Sequence, residues 1–66
     1  MTVRELLTGL YFDGIEIRDF ETEKRLTSNV KNAKKYFDCE VKDYDYYDIL
    51  ENETATTEYY LLKIFI

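Results

Sequence analysis

The chain contains no histidine, no proline and no tryptophan, and it has one cysteine in 66 residues. Without histidine it lacks the side chain that most often acts as a general base or binds zinc. Cys39 cannot form an internal disulfide, which a secreted domain of this size normally needs. No apolar run approaches the ~20 residues of a membrane-spanning helix, and no signal peptide is recognisable. These absences predict a cytoplasmic protein that is not an enzyme and holds no cofactor or metal.

What the chain does contain is enough apolar surface to fold. Hydrophobic residues make up 45% of it, and eleven residues are aromatic, seven Tyr and four Phe. A disordered chain has far fewer such side chains. At this length, folding buries only about 60% of the surface that the unfolded chain exposes. The sequence therefore predicts a single domain over residues 1–66 with one thin core.

The net charge of −5 is unevenly distributed along the chain. Residues 1–20 sum to −2, residues 21–37 to +3 and residues 38–66 to −6. An acidic surface repels nucleic acid and anionic membranes and attracts basic surfaces. This charge distribution favours a protein partner with a basic surface and argues against direct contact with nucleic acid or a membrane.

Two helices are predicted from capping residues and apolar spacing. Thr2 and Glu5 have the capping-box spacing ahead of an apolar series with helical period, which predicts a helix over residues 3–11. Ser28 or Asn29 is placed to cap a second, short helix. The predicted inner faces are Val3, Leu6, Leu7 and Leu10 on the first helix and Val30, Ala33 and Phe37 on the second.

A hairpin is predicted between the two helices. Asp13-Gly14 favours a turn in which glycine tolerates a positive φ, and the alternation over residues 15–19 is typical of a half-buried strand. A polar run at residues 21–24 separates it from a short strand around residues 25–27. The inward-facing residues of this hairpin are expected to be Ile15, Ile17 and Leu26.

Two further strands are predicted on either side of a polar loop at residues 51–57. The alternation over residues 40–50 slips, and a β-bulge near Tyr46-Tyr47 would restore it. Residues 58–66 are the strongest strand signal in the chain. The order α-β-β-α-β-β predicts an α+β fold with one antiparallel sheet.

The last strand is apolar on both faces. One face carries Tyr60, Leu62, Ile64 and Ile66, and the other carries Tyr59, Leu61, Lys63 and Phe65. Such a strand is either central and covered on both sides, or one of its faces meets another chain. Self-association into a homodimer through Tyr59, Leu61 and Phe65 is therefore a second hypothesis, as in a structural or assembly module.

The candidate partner-binding surface is the acidic run, the segment in which carboxylates alternate with tyrosines at residues 43–48. In a strand, Asp43 and Asp45 lie about 6.7 Å apart on one face, a spacing comparable to that of neighbouring phosphates. Tyrosine adds rigid contact area and is favoured in binding hot spots. The predicted contact residues are Asp43, Tyr44, Asp45, Tyr46, Tyr47 and Asp48, with Glu51 and Glu53 extending the row.

The acidic run has two other interpretations. The carboxylates are also suited to be the solvated face of an edge strand, where they prevent aggregation. A calcium loop starting at Asp43 requires glycine where Asp48 stands and a bidentate glutamate where Thr54 stands, so the metal interpretation is disfavoured.

The opening segment Met1–Leu7, the strand at residues 15–19 and the apolar final strand together resemble small acidic proteins of bacteriophages and mobile elements. The likeness covers most of the chain as a pattern of elements. Some of those proteins inhibit host defence nucleases, including the anti-CRISPR proteins. The resemblance implies a phage-encoded inhibitor, acting in the host cytosol, that binds a nucleic-acid-binding nuclease in its nucleic-acid channel or at the arginines that read the flanking target motif.

Overall fold

The computed structural model describes residues 1–50 and 58–66. Its elements are α1 (Val3–Gly9), β1 (Gly14–Arg18), β2 (Arg25–Thr27), α2 (Val30–Ala33), a 3-10 helix (Lys34–Tyr36), β3 (Asp43–Leu50) and β4 (Glu58–Phe65). The α+β class is confirmed, and the predicted order is matched apart from the 3-10 helix after α2. The predicted loop at residues 51–57, with Glu51 and Glu53, lies outside the described residues.

The four strands form one mixed sheet in the order β2-β1-β4-β3. The β1–β2 and β3–β4 pairs are antiparallel, but β1 and β4 are parallel. The prediction of a single sheet is confirmed, but the sheet is mixed and not antiparallel throughout. The apolar β4 takes a central place. The connection from β1 to β4 runs through β2, α2 and β3, and its length allows β4 to lie beside β1 in the parallel direction.

The core lies on one face of the sheet, called here the inner face. Ile15 and Ile17 of β1 stand beside Leu62 and Ile64 of β4, and all four side chains are buried. The remaining buried residues are Val3 and Leu6 of α1 and Ala33 of α2. Because the helices supply the rest of this core, they pack on the inner face, and the opposite face is called the outer face.

The capping box at the start of α1 is confirmed. Thr2 Oγ1 accepts a hydrogen bond from the Glu5 amide at 3.3 Å, and Glu5 Oε1 accepts one from the Thr2 amide at 2.9 Å. The bond from the Thr2 amide, followed by the one that the Thr2 hydroxyl donates to Glu5 Oε1 at 3.1 Å, lowers the pKa of Glu5 below its ordinary value. The helix ends at Gly9, two residues earlier than predicted, which leaves Leu7 and Leu10 only half-buried against the core.

Two predicted core positions are exposed instead. Val30 is 46% exposed, because α2 has only four residues and the following 3-10 helix does not keep the α-helical period. Leu26 is 40% exposed, because β2 is a three-residue edge strand and the pairing of β1 with β2 is irregular between Ile17 and Arg18. The predicted cap by Asn29 is present, since its side chain accepts the Lys31 amide at 2.7 Å.

The tight turn between β1 and β2 is organised by Asp19. One oxygen of its carboxylate accepts the amides of Glu21 at 2.8 Å and Thr22 at 3.0 Å. These two bonds, that of Thr22 first, lower the pKa of Asp19. Glu23 has a φ of 61°, in the left-handed region that favours glycine. The turn therefore carries local backbone strain at Glu23.

We predict that Glu23→Gly stabilises the protein by about 0.5–1 kcal/mol, because relief of the left-handed strain exceeds the added entropy of the unfolded chain. The free energy of unfolding from urea denaturation measures the change. Glu21→Gly is the matched control, since Glu21 has no positive φ, and it should not stabilise. Equal destabilisation by both substitutions would show that Glu23→Gly relieves no backbone strain.

Candidate partner-binding site

The acidic run occupies the first six residues of β3, which is an edge strand. β3 pairs with β4 on one side, and no described strand lies on the other. All six side chains of residues 43–48 are exposed. Charged residues are common on edge strands because they oppose uncontrolled pairing with other chains. The same position leaves the acidic run open to a partner that approaches the edge.

The acidic run is divided between the two faces of the sheet. β3 pairs with β4 without interruption from Asp43 opposite Phe65 to Leu50 opposite Glu58, so the predicted β-bulge near Tyr46-Tyr47 was wrong. The bulge was predicted from the slip in the alternation, but Tyr46 and Tyr47 lie on opposite faces of a regular edge strand and are almost equally exposed, at 39% and 40%. Asp43, Asp45 and Tyr47 lie on the outer face, and Tyr44, Tyr46 and Asp48 lie on the inner face.

On the outer face one carboxylate of the acidic run stands opposite a cation. Asp45 is opposite Lys63, and the Tyr47 hydroxyl donates to Asp45 Oδ2 at 3.3 Å. The Lys63 ammonium lies 5.5 Å from the centre of the Tyr47 ring, within the range of a cation–π contact. The charged residues that the strand register places on this face are Glu16, Asp43 and Asp45 against Arg18, Arg25 and Lys63. They balance, so this face is close to neutral.

The outer face also carries the residues predicted for self-association. Tyr59, Leu61 and Phe65 share this face of β4, with Tyr59 37% exposed and the other two half-buried. Gly14 does not adopt the positive φ expected of it; a Cβ there would lie 2.8 Å from Cζ of Tyr59. Glycine is therefore needed so that the Tyr59 ring can lie over β1. Among the described residues, the helices leave this face uncovered.

At the start of β4, on the inner face, the structure assembles a group that the sequence did not predict. We call Tyr11, Asp13, Tyr46 and Tyr60 the tyrosine cluster. The rings of Tyr46 and Tyr60 stack with centres 5.7 Å apart, and Tyr11 meets Tyr60 at 5.9 Å with the planes at 80°. The Tyr46 hydroxyl donates to the Tyr11 carbonyl. The acidic run is thereby tied to the segment between α1 and β1.

Asp13 is the polar centre of the tyrosine cluster. Its Oδ1 accepts the Tyr11 hydroxyl at 2.9 Å, and its Oδ2 accepts the Tyr60 amide at 2.9 Å. The Asp13 amide in turn donates to the Tyr60 carbonyl at 2.9 Å. The bond to Asp13, which stabilises the protonated phenol, raises the pKa of Tyr11. Asp48, opposite Tyr60 in the register, adds a second carboxylate on this face.

Sequence reasoning missed Tyr11, Asp13 and Tyr60 for different reasons. Antiparallel pairing of β3 with β4 sets Tyr46 diagonally beside Tyr60. A prediction of the complete β3–β4 register from the sequence would therefore have identified this pair. Nothing in the local pattern indicates that Tyr11 and Asp13 reach them, because that contact depends on how the chain leaves α1.

A depression of about 390 Å³ lies near the other end of β4 and contains no residue of the acidic run. Its lining residues are Asp19, Leu26, Cys39, Glu40, Lys42 and Ile66. Cys39 is half-buried, packs against the core and follows the 3-10 helix. Within residues 1–50 and 58–66, no three carboxylate or thiol side chains converge as metal ligands, and no helix is long and apolar enough to cross a membrane.

Comparison with known proteins places this chain in no family: no family model, no curated protein and no solved structure matches it. The resemblance to small phage proteins stays a prediction. The surface chemistry of β3 and of the tyrosine cluster is therefore the basis for assigning a function.

We predict that Tyr46→Phe destabilises the fold by about 1 kcal/mol, because it removes the hydrogen bond to the Tyr11 carbonyl. Tyr44→Phe is the matched control on the same face of β3, since the Tyr44 hydroxyl makes no hydrogen bond within the described part of the chain. Thermal and urea denaturation of both variants measure the difference. Equal stability of the two would show that the bond from Tyr46 contributes nothing.

Proposed function

We propose that the protein is a non-enzymatic inhibitor that uses the acidic run to bind the nucleic-acid-binding surface of a basic protein. The observation that supports this most is the exposure of all six residues of the run on an edge strand. A partner that approaches the edge meets carboxylates on both sides of the strand. Asp43 and Asp45 repeat at a spacing of about 6.7 Å on one side, as phosphates do along a nucleic acid.

The charge distribution supports the same partner. The segment from residue 38 onward sums to −6 in a chain of net charge −5, so the field around β3 attracts basic surfaces. Attraction of this kind speeds association and weakens as salt is added. Glu51 and Glu53 stay predicted contributors outside the described residues.

The class of target follows from the resemblance to small proteins of phages and mobile elements. Inhibitors of that kind act on host nucleases, including CRISPR effectors, whose guide and target strands lie in positively charged channels. We infer a phage-encoded inhibitor of a host defence nuclease, with anti-CRISPR or anti-restriction activity, that meets its target in the host cytosol.

The acidic-run variant combines Asp43→Asn, Asp45→Asn and Asp48→Asn. We predict that it binds the target at least about tenfold more weakly than wild type, because the loss of three charge pairs at an interface costs more than about 1.4 kcal/mol in total. The target is first captured from nuclease-treated host lysate. The affinity of the captured protein for wild type and for the variant is then measured at two salt concentrations.

The control variant removes three carboxylates elsewhere, through Glu21→Gln, Glu23→Gln and Asp38→Asn. Both variants change the net charge from −5 to −2, so a difference between them reports position and not total charge. The captured protein should bind nucleic acid on its own and lose that binding when the inhibitor is added. Its affinity for the inhibitor should fall in high salt. Identical captures by wild type and the acidic-run variant, or affinity independent of salt, would refute the proposal.

A second candidate function is self-association as a structural or assembly module. The observation that favours it is the uncovered outer face, which combines Tyr59, Leu61 and Phe65 with a balanced set of charges. A neutral face with both signs of charge is able to pair with a second copy of itself, whereas two acidic surfaces repel. The two functions are compatible, since a dimer would display two acidic runs.

For this second function we predict a dimer at high micromolar concentration and a monomer after Leu61→Thr, which keeps strand propensity while removing apolar contact area. Sedimentation equilibrium measures the mass of both proteins, and circular dichroism confirms that the variant is folded. A monomeric mass for wild type over the whole concentration range would eliminate self-association.

A further inference from the structure

We propose that Tyr11 and Asp13 form a binding site for an arginine side chain of the partner protein, in which the guanidinium stacks on the Tyr11 ring and pairs with the Asp13 carboxylate. The proposal rests on the proposed function, because it names the chemical group by which a basic partner is recognised. It adds a site outside the acidic run, contributed by the segment between α1 and β1.

The Tyr11 ring is both exposed and held in place. It is 69% exposed, the largest exposed fraction among the exposed large hydrophobic side chains of the described chain. Its hydroxyl donates to Asp13, its carbonyl accepts the Tyr46 hydroxyl, and its ring packs at 5.9 Å against Tyr60. A ring that is already ordered costs little entropy when a ligand stacks on it. Tyr11 therefore offers a pre-positioned aromatic surface.

The Asp13 carboxylate has acceptor capacity left on both oxygens. Each oxygen accepts one hydrogen bond, from the Tyr11 hydroxyl on Oδ1 and from the Tyr60 amide on Oδ2. An ionised carboxylate has about four acceptor sites, so about one remains on each oxygen. Two parallel acceptors suit the paired N–H groups of a guanidinium. Because the two existing bonds fix the carboxylate, its orientation is set before a ligand arrives.

No basic side chain of the described residues makes an ion pair or cation–π contact with Tyr11 or Asp13. Within the described residues, the basic side chains in ion pairs or cation–π contacts are Arg4, Arg18, Lys42 and Lys63, and their partners are neither Tyr11 nor Asp13. Residues 51–57 contain no lysine or arginine. The site is therefore not filled by a cation of the described residues, and the arginine we assign to it belongs to the partner.

Arginine fits the site better than lysine. Its planar group lies flat on an aromatic ring and donates two parallel hydrogen bonds, whereas the lysine ammonium is a compact, strongly hydrated point charge. A guanidinium is therefore suited to contact the Tyr11 ring with its face and the Asp13 carboxylate with its N–H groups. Selectivity between the two cations is thus the property that identifies the site.

The test is a nuclear magnetic resonance titration of the ¹⁵N-labelled protein with N-acetyl-argininamide and, separately, with N-acetyl-lysinamide. The Tyr60 amide is the reporter, because it donates directly to Asp13. We expect saturable shifts at Tyr60 and Asp13, with affinity about threefold or more higher for the arginine probe. Asp13→Asn and Tyr11→Leu should each abolish that preference, and Glu21→Gln, in the turn between β1 and β2, should leave it unchanged.

Equal affinity for the two probes, or an arginine preference that persists in Asp13→Asn, would overturn the site. Spectra of each variant report whether it is folded, and Tyr11→Phe, which keeps the ring, should retain more arginine preference than Tyr11→Leu. The two proposals fail separately. Target capture that needs the acidic run while the probes show no arginine preference refutes only this site. An arginine preference with capture unaffected by the acidic-run variant refutes only the proposed function.

Discussion

The burial of β4 is the constraint on which the rest of the structure depends. Leu62 and Ile64 are fully buried, and each such side chain contributes about 1.5–3 kcal/mol when it leaves water. A chain of this size has few other large buried residues, so β4 must be flanked on both sides and covered on its inner face. β1 and β3 provide the flanks, and α1 and α2 provide the cover. β1 also pairs with β2, whereas β3 has a described strand on one side only, so β3 is at the edge of the sheet.

The edge position of β3 determines the character of both proposed surfaces. An edge strand at the margin of the core buries little, so it tolerates aspartates and tyrosines on both faces. The strict alternation of the backbone then sends half of the acidic run to each face. On the outer face Asp45 meets Lys63 and the charges balance, whereas on the inner face Tyr46 joins Asp13 and Tyr11. One segment thereby contributes to two chemically different surfaces.

Several elements were predictable because their signals are local. The capping box of Thr2 and Glu5, the cap by Asn29 and the alternation of Ile15 and Ile17 depend on residues within one or two turns of each other. The predictions that were wrong depend on contacts across the chain. The parallel pairing of β1 with β4, the uninterrupted register of β3 and the exposure of Leu26 follow from which strand lies beside which, and the residue pattern of a single strand does not contain that information.

The sequence by itself determined the α+β class, the inward-facing residues of β1 and β4 and the acidic character of β3, because side-chain period and charge are properties of neighbouring residues. Only the tertiary structure decided that β3 is an edge strand, that its carboxylates divide between two faces and that Asp13 bonds to both Tyr11 and Tyr60. Asp13 and Tyr60 are far apart in the chain, and the bond between them exists because the burial of β4 carries the start of that strand to the segment before β1.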